Sequence, residues 1–184
     1  MPRPALAAIA LLALAAACSA DSDQPLAPQS MLEVAGGAGP HFVRASAEGP
    51  DDFGTLQVLW KQAGLGAGGL IEYLATANAT AVYACQNSGG NFPRDAKKQE
   101  VAGPVSGETG FASDRNGEIT GRVALTPPDP ILPPDPCSGG QQLVLVQARY
   151  TDVVIADVTN GIREPITGTF CGTFFANAFP PEPC

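Results

Sequence analysis

Ala75-Thr76-Ala77-Asn78-Ala79-Thr80-Ala81-Val82-Tyr83-Ala84-Cys85 decides the fold class. Its many alanines favour helix by propensity. The order of the residues argues the other way. Ala75, Ala77, Ala79, Ala81, Tyr83 and Cys85 share one parity, against Thr76, Asn78, Thr80 and Val82 on the other. A period of two with β-branched residues on one face predicts a strand. Tyr73 continues the alanine face, where small side chains leave room for packing across a sandwich.

The same period extends outward. Upstream, Leu56, Val58 and Trp60 alternate with Gln57 and Lys61, and the glycine-dense loop Gly64–Gly69 follows. Downstream, Asn87–Asn91 and Pro93 predict a loop, and Lys98–Ser106 a strand. Thr109–Ser113 and Glu118–Thr126 flank Asp114-Arg115-Asn116-Gly117. Asn-Gly supplies the positive φ of a tight turn, so these two runs are expected to form a hairpin. Ile119, Val123 and Leu125 would face the core, with Glu118, Thr120 and Arg122 in water. Leu143–Val158 is the most β-prone run and is expected at the centre of a sheet. Ile166–Phe175 closes the set. Seven to nine short strands punctuated by Gly and Pro imply an antiparallel, immunoglobulin-like β-sandwich spanning residues 51–184.

Residues 127–136 hold six prolines, which cannot join a ladder and predict a stiff extended connector. Cys137 follows directly. Four cysteines, Cys85, Cys137, Cys171 and Cys184, lie in the folded part and allow three pairings. Cys85–Cys137 with Cys171–Cys184 is favoured: the first ties a strand end to the far end of the proline run, the second pins the tail. Zinc would need closely spaced ligands, and none of the cysteines provides them.

The N-terminus has one positive charge, Arg3, then an apolar run from Ala5 to Ala17. That is the layout of a secretory signal, too short for a membrane span. The run ends Leu14-Ala15-Ala16-Ala17-Cys18-Ser19 and resembles the lipobox of bacterial lipoproteins, in which the cysteine is acylated and becomes the mature N-terminus. The usual leucine three places before the cysteine is Ala15 here, with Leu14 one place further off. Lipidation of Cys18 leaves four of the five cysteines, an even number. Cleavage after Ala20 would do the same, giving a secreted chain. Residues 18–50, rich in Ala, Gly, Pro, Ser and acids, read as a flexible tether.

Ala63-Gly64-Leu65-Gly66, Ala79–Asn87 followed by Gly89-Gly90, Asn116–Gly121, Cys137-x-Gly139-Gly140-Gln141 and Tyr150-Thr151-Asp152-Val153 together resemble small secreted proteins of actinobacteria and other microbes. The Cys-x-Asn-x-Gly-Gly element at Cys85 is the most specific part. The resemblance implies secretion and a β-rich fold, and adds no activity. Lys97-Lys98 and the Cys171/Cys184 pair depart from the group's pattern.

The chemistry-bearing residues are few. Net charge is −8, with no basic footprint for nucleic acid. The sole histidine, His41, falls in the expected tether, so no Ser-His-Asp triad can be assembled around it. No phosphate loop, nucleophile elbow or zinc-protease motif occurs, and no cofactor is called for. Asp152 and Asp157 are an odd distance apart and would not converge for glycosidic chemistry without a bulge. Glu72 and Glu118 are expected on solvent faces. Trp60 is expected in the core, Tyr150 on a rim. Oxygens near Asp51-Asp52 or Asn87–Asn91 could hold calcium. The expectation is a non-catalytic interaction or envelope-structural protein. Its partners would be the membrane, through the lipid on Cys18, and an envelope or extracellular protein or polysaccharide. The alternative is a carbohydrate-binding or carbohydrate-active protein.

Overall fold

In the computed structural model, residues 39–93, 97–131, 137 and 139–175 are described. Cys18, Cys184 and the region expected to be the signal lie outside them. The described residues form eight strands: β1 (His41–Glu48), β2 (Leu56–Ala63), β3 (Leu70–Gln86), β4 (Lys98–Ala112), β5 (Ile119–Leu125), β6 (Gln142–Asp157), β7 (Ile162–Ile166) and β8 (Phe170–Thr173). A three-stranded sheet, β1-β2-β5, faces a five-stranded one, β4-β3-β6-β7, with β8 also on β6. All pairs are antiparallel.

Immunoglobulin constant-type domains place strands one, two, five and four on one sheet and three, six and seven on the other. The order here is the same except that β4 has changed sheets to pair with β3. β7 and β8 are successive pieces of one edge, both antiparallel to β6.

The alternation holds from Ala75 to Ala81; past a register shift against β6 at Val82/Tyr83, Tyr83 is half-buried and Ala84, of the opposite parity, is buried. Ala75, Ala77, Ala79 and Ala81 are buried in β3, and the first three share one core cluster with the large side chains of the opposite sheet. Trp60 is 1% exposed and packs between Tyr73 (ring centroids 4.6 Å apart) and Phe111 (5.8 Å, edge-on). Its partner in the ladder is Gly121. A Cβ there would come within 2.5 Å of the indole, so the glycine makes the space the ring fills.

Three expectations are corrected. First, the tether does not reach residue 50: His41–Glu48 form β1, paired with β2 from His41↔Ala63 to Glu48↔Gln57. A register shift between Phe42 and Arg44 breaks its period, and as an edge strand it only half-buries the face that Phe42, Ala45 and Ala47 pack on the core. His41 thus opens a strand, with Nδ1 2.8 Å from the Gly39 carbonyl. Second, Asp114–Gly117 does make a tight turn, but not a hairpin between its flanking runs. β4 runs unbroken from Lys98 to Ala112 and pairs with β3, while β5 pairs with β2. An Asn-Gly turn fixes a local reversal of the chain; it does not choose the partner. Third, Tyr150 is no rim residue. It is fully buried, its hydroxyl 2.6 Å from the Gly54 carbonyl and 3.1 Å from that of Leu125.

β3, β4 and β6 extend past the end of β5. Residues 127–131 lie over this overhang: Tyr83 donates to the Pro128 carbonyl at 2.8 Å, and Gln99 to that of Ile131. The disulfide Cys85–Cys137 closes the far end. Cys171 is also disulfide-bonded, and Cys184, the partner favoured for it from the sequence, is outside the described residues.

Candidate functional site

Asp51-Asp52-Phe53-Gly54-Thr55, Asn87-Ser88-Gly89-Gly90-Asn91 and Asp114-Arg115-Asn116-Gly117-Glu118 fold alike. In each, the first side chain's Oδ1 accepts from the amides two and four residues on, at 2.8–3.0 Å. In each, the amide of the fourth residue, a glycine with φ of +72° to +83°, donates to the first residue's carbonyl. This is a turn closed by a glycine bulge. Of the oxygens that sequence offers to calcium, Oδ1 of Asp51 and Oδ1 of Asn87 are therefore already engaged by backbone N–H groups. The two amide bonds hold the exposed Asp114 carboxyl below its usual range. Among the described residues no three His, Cys, Asp or Glu side chains gather as a metal site.

Asp157 is 1% exposed, on the inward side of β6. Gln62 Nε2 donates to it at 2.6 Å, as do the Asn160 amide (2.9 Å) and Nδ2 (2.7 Å). Tyr73 donates in turn to Gln62 Oε1. Burial, with the charge of Asp157 adding to it, pushes the Tyr73 hydroxyl up to about 12. The buried Trp60 N–H beside it opposes that rise but makes no hydrogen bond of regular geometry. Every heteroatom of the Tyr73–Gln62–Asp157 chain has a partner, which is what a buried polar network needs to hold a core together. Sequence reasoning missed Gln62; its only signal was one polar residue on the Leu56–Trp60 parity.

Asp152 has a different setting. It is the one non-glycine among the described residues with positive φ, +54°. Thr76 pairs with Val154 and Asn78 with Thr151, so two residues of β6, Asp152 and Val153, bulge opposite Ala77 alone. The bulge switches the inward parity of β6 from Ala148 and Tyr150 to Val153, Ile155 and Asp157. Asp152 is left exposed while Asp157 is buried, and the two carboxylates do not converge. Nor do Glu72, exposed on β3, and Glu118, paired with Lys61 at 2.9 Å, join them.

Beside the bulge the opposite edge is broken too. β6 pairs Val153 with Ile166 and Tyr150 with Phe170, and nothing pairs in between. A surface pocket of about 340 Å³ opens there, with Asp152, Val154, Pro165 and Thr167 among its walls. A residue held in a sparsely populated conformation at a concave surface marks a functional candidate. The Asp152 Oδ2 accepts from Asn78 Nδ2 at 3.0 Å and from Thr151 Oγ1 at 3.1 Å. Those bonds orient a carboxylate at the pocket's polar end.

The aromatic platform expected of a sugar-binding surface is not formed by the residues that sequence offered. Trp60, Tyr73 and Tyr150 lie in the core, and Tyr83 is half-buried under the proline segment. Comparison with protein-family models, curated proteins and solved structures finds no match.

Proposed function

We propose that the chain is exported, anchored on the extracytoplasmic face of the membrane by a lipid on Cys18, and displays its sandwich as a non-catalytic interaction or envelope-structural module. One observation carries the reading. The polar side chains best suited to chemistry are committed to scaffolding: Asp51, Asn87 and Asp114 close loops, and Asp157 holds Gln62 and Asn160. The disulfide Cys85–Cys137 accords with an oxidising compartment. The layout of residues 1–18 supplies the export and lipidation signals. An acidic chain has no polybasic surface of its own for anionic lipid, so the acyl chains would do the anchoring.

Intact mass of the membrane-extracted protein, reduced and unreduced, tests this. The expected species begins at Cys18, carries acyl mass and gains the mass of four hydrogen atoms on reduction of two disulfides. A mature N-terminus at Asp21, or no acyl mass, overturns the anchor. Capture with the crosslinked native protein, set beside a hydrolase screen, tests the rest. Turnover without a captured envelope or extracellular partner counts against an interaction role.

A further inference from the structure

The pocket at the break between β7 and β8 joins three features that scaffolding does not require together. The edge opposite Thr151 and Asp152 is left unpaired. Val154 and Pro165 form apolar walls. Asp152, its carboxylate fixed by Asn78 and Thr151, supplies negative charge. Arg149 and Arg163 are exposed nearby in sequence, yet among the described residues the ion pair formed is Lys61–Glu118, and Asp152 makes none. A volume of about 340 Å³ is small for a ligand pocket and suits one side chain.

Resting on the interaction role proposed above, we infer that this pocket receives a lysine side chain of a partner protein, its aliphatic stem along Val154 and Pro165 and its ammonium on Asp152. The number of free acceptors selects lysine over arginine. A guanidinium gains most from two parallel bonds to both carboxylate oxygens. Here Oδ2 already takes two donors, and Oδ1 remains for a single point charge. An ammonium, a compact point charge, needs no fork. The net charge of −8 draws cationic partners toward the molecule at low salt.

The test is an amide-resolved NMR titration of the oxidised chain with Nα-acetyl-lysine methylamide. Saturable shifts are expected at Asp152–Val154 and at Thr167 and Gly168, with millimolar affinity. The Nε-acetylated probe, which lacks the charge, leaves them unmoved, and the arginine analogue binds more weakly. Asp152→Gly removes the carboxylate while accepting φ of +54° without strain, so it folds and fails to bind. Asp152→Asn, which also tolerates this conformation, binds about tenfold more weakly or worse. Equal shifts with the acetylated probe, undiminished binding in folded variants, or no shift at saturating probe overturns the inference. A lipidated chain that captures a partner yet ignores lysine loses the pocket and keeps the wider role. A chain that binds lysine but carries no acyl mass loses the anchor and keeps the pocket.

Discussion

Gly121 and Tyr73 show how single residues set the core. Gly121 gives the Trp60 ring its place, since a Cβ would stand 2.5 Å from Cζ2 and 3.0 Å from Phe111. Gly121→Ala is therefore expected to cost about 1–3 kcal/mol, the usual range for an overpacked core. Urea melts followed by Trp60 fluorescence would read it. Tyr73→Phe keeps the ring and removes the donor to Gln62 Oε1, leaving a buried acceptor unpaired. A loss of about 1–3 kcal/mol is expected, with an unchanged denaturant slope. The inward position of Trp60 could be read from its alternation with Leu56 and Val58. The role of Gln62 could not, because its partners Tyr73 and Asp157 come from two other strands of the opposite sheet. Tyr150 misled for the same reason: a polar tip beside Arg149 looks like a rim until Gly54 and Leu125 bring it acceptors.

At the scale of elements, the three Asx-x-x-Gly loops are short-range devices. Asn87→Ala frees the amides of Gly89 and Asn91 to water and removes the bond that shapes the β3–β4 connection. A loss of about 1 kcal/mol is expected from the denaturation midpoint. Such loops are legible in sequence because each rests on two residues three apart. Strand pairing is less so. The long alternation of β3 identified it, whereas β1, with a register shift near its start and only a half-buried face, gave too weak a period. β6 switches parity at its bulges, so a uniform period of two cannot assign its faces. The pocket was illegible for that reason. It depends on Asp152 bulging where the edge beyond β6 also breaks, and neither break leaves a regular mark in the residues.

For the molecule as a whole, burial has engaged all three tyrosines. Burial raises the Tyr73 hydroxyl from 10.0 to about 12, and raises those of Tyr83 and Tyr150 as well. Above pH 10.0 the unfolded chain ionises first, so stability is full below that pH and falls as pH climbs toward about 12. Tyr73 alone contributes a loss of order 2 kcal/mol across that window. Urea melts at stepped pH, with phenolate absorbance following the unfolding transition, would check it. The Cys85–Cys137 bridge acts at the same scale, because its separation of 52 residues encloses β4, β5 and the proline segment. Cys85→Ser with Cys137→Ser is expected to cost about 4 kcal/mol by the chain-entropy account, read as a lowered midpoint against the oxidised parent. The architecture was legible as a sandwich; the sheet membership of β4 was not. That one change of sheet also bears on how the chain reaches its native state. β3 and β4 are neighbours in sequence and can zip together early, but β5 must leave β4 behind and find β2 across the pair. Loop closure of that kind slows folding. Until β5 docks, the edge of β2 stands open, and a newly made chain is then most exposed to pairing with a second copy of itself.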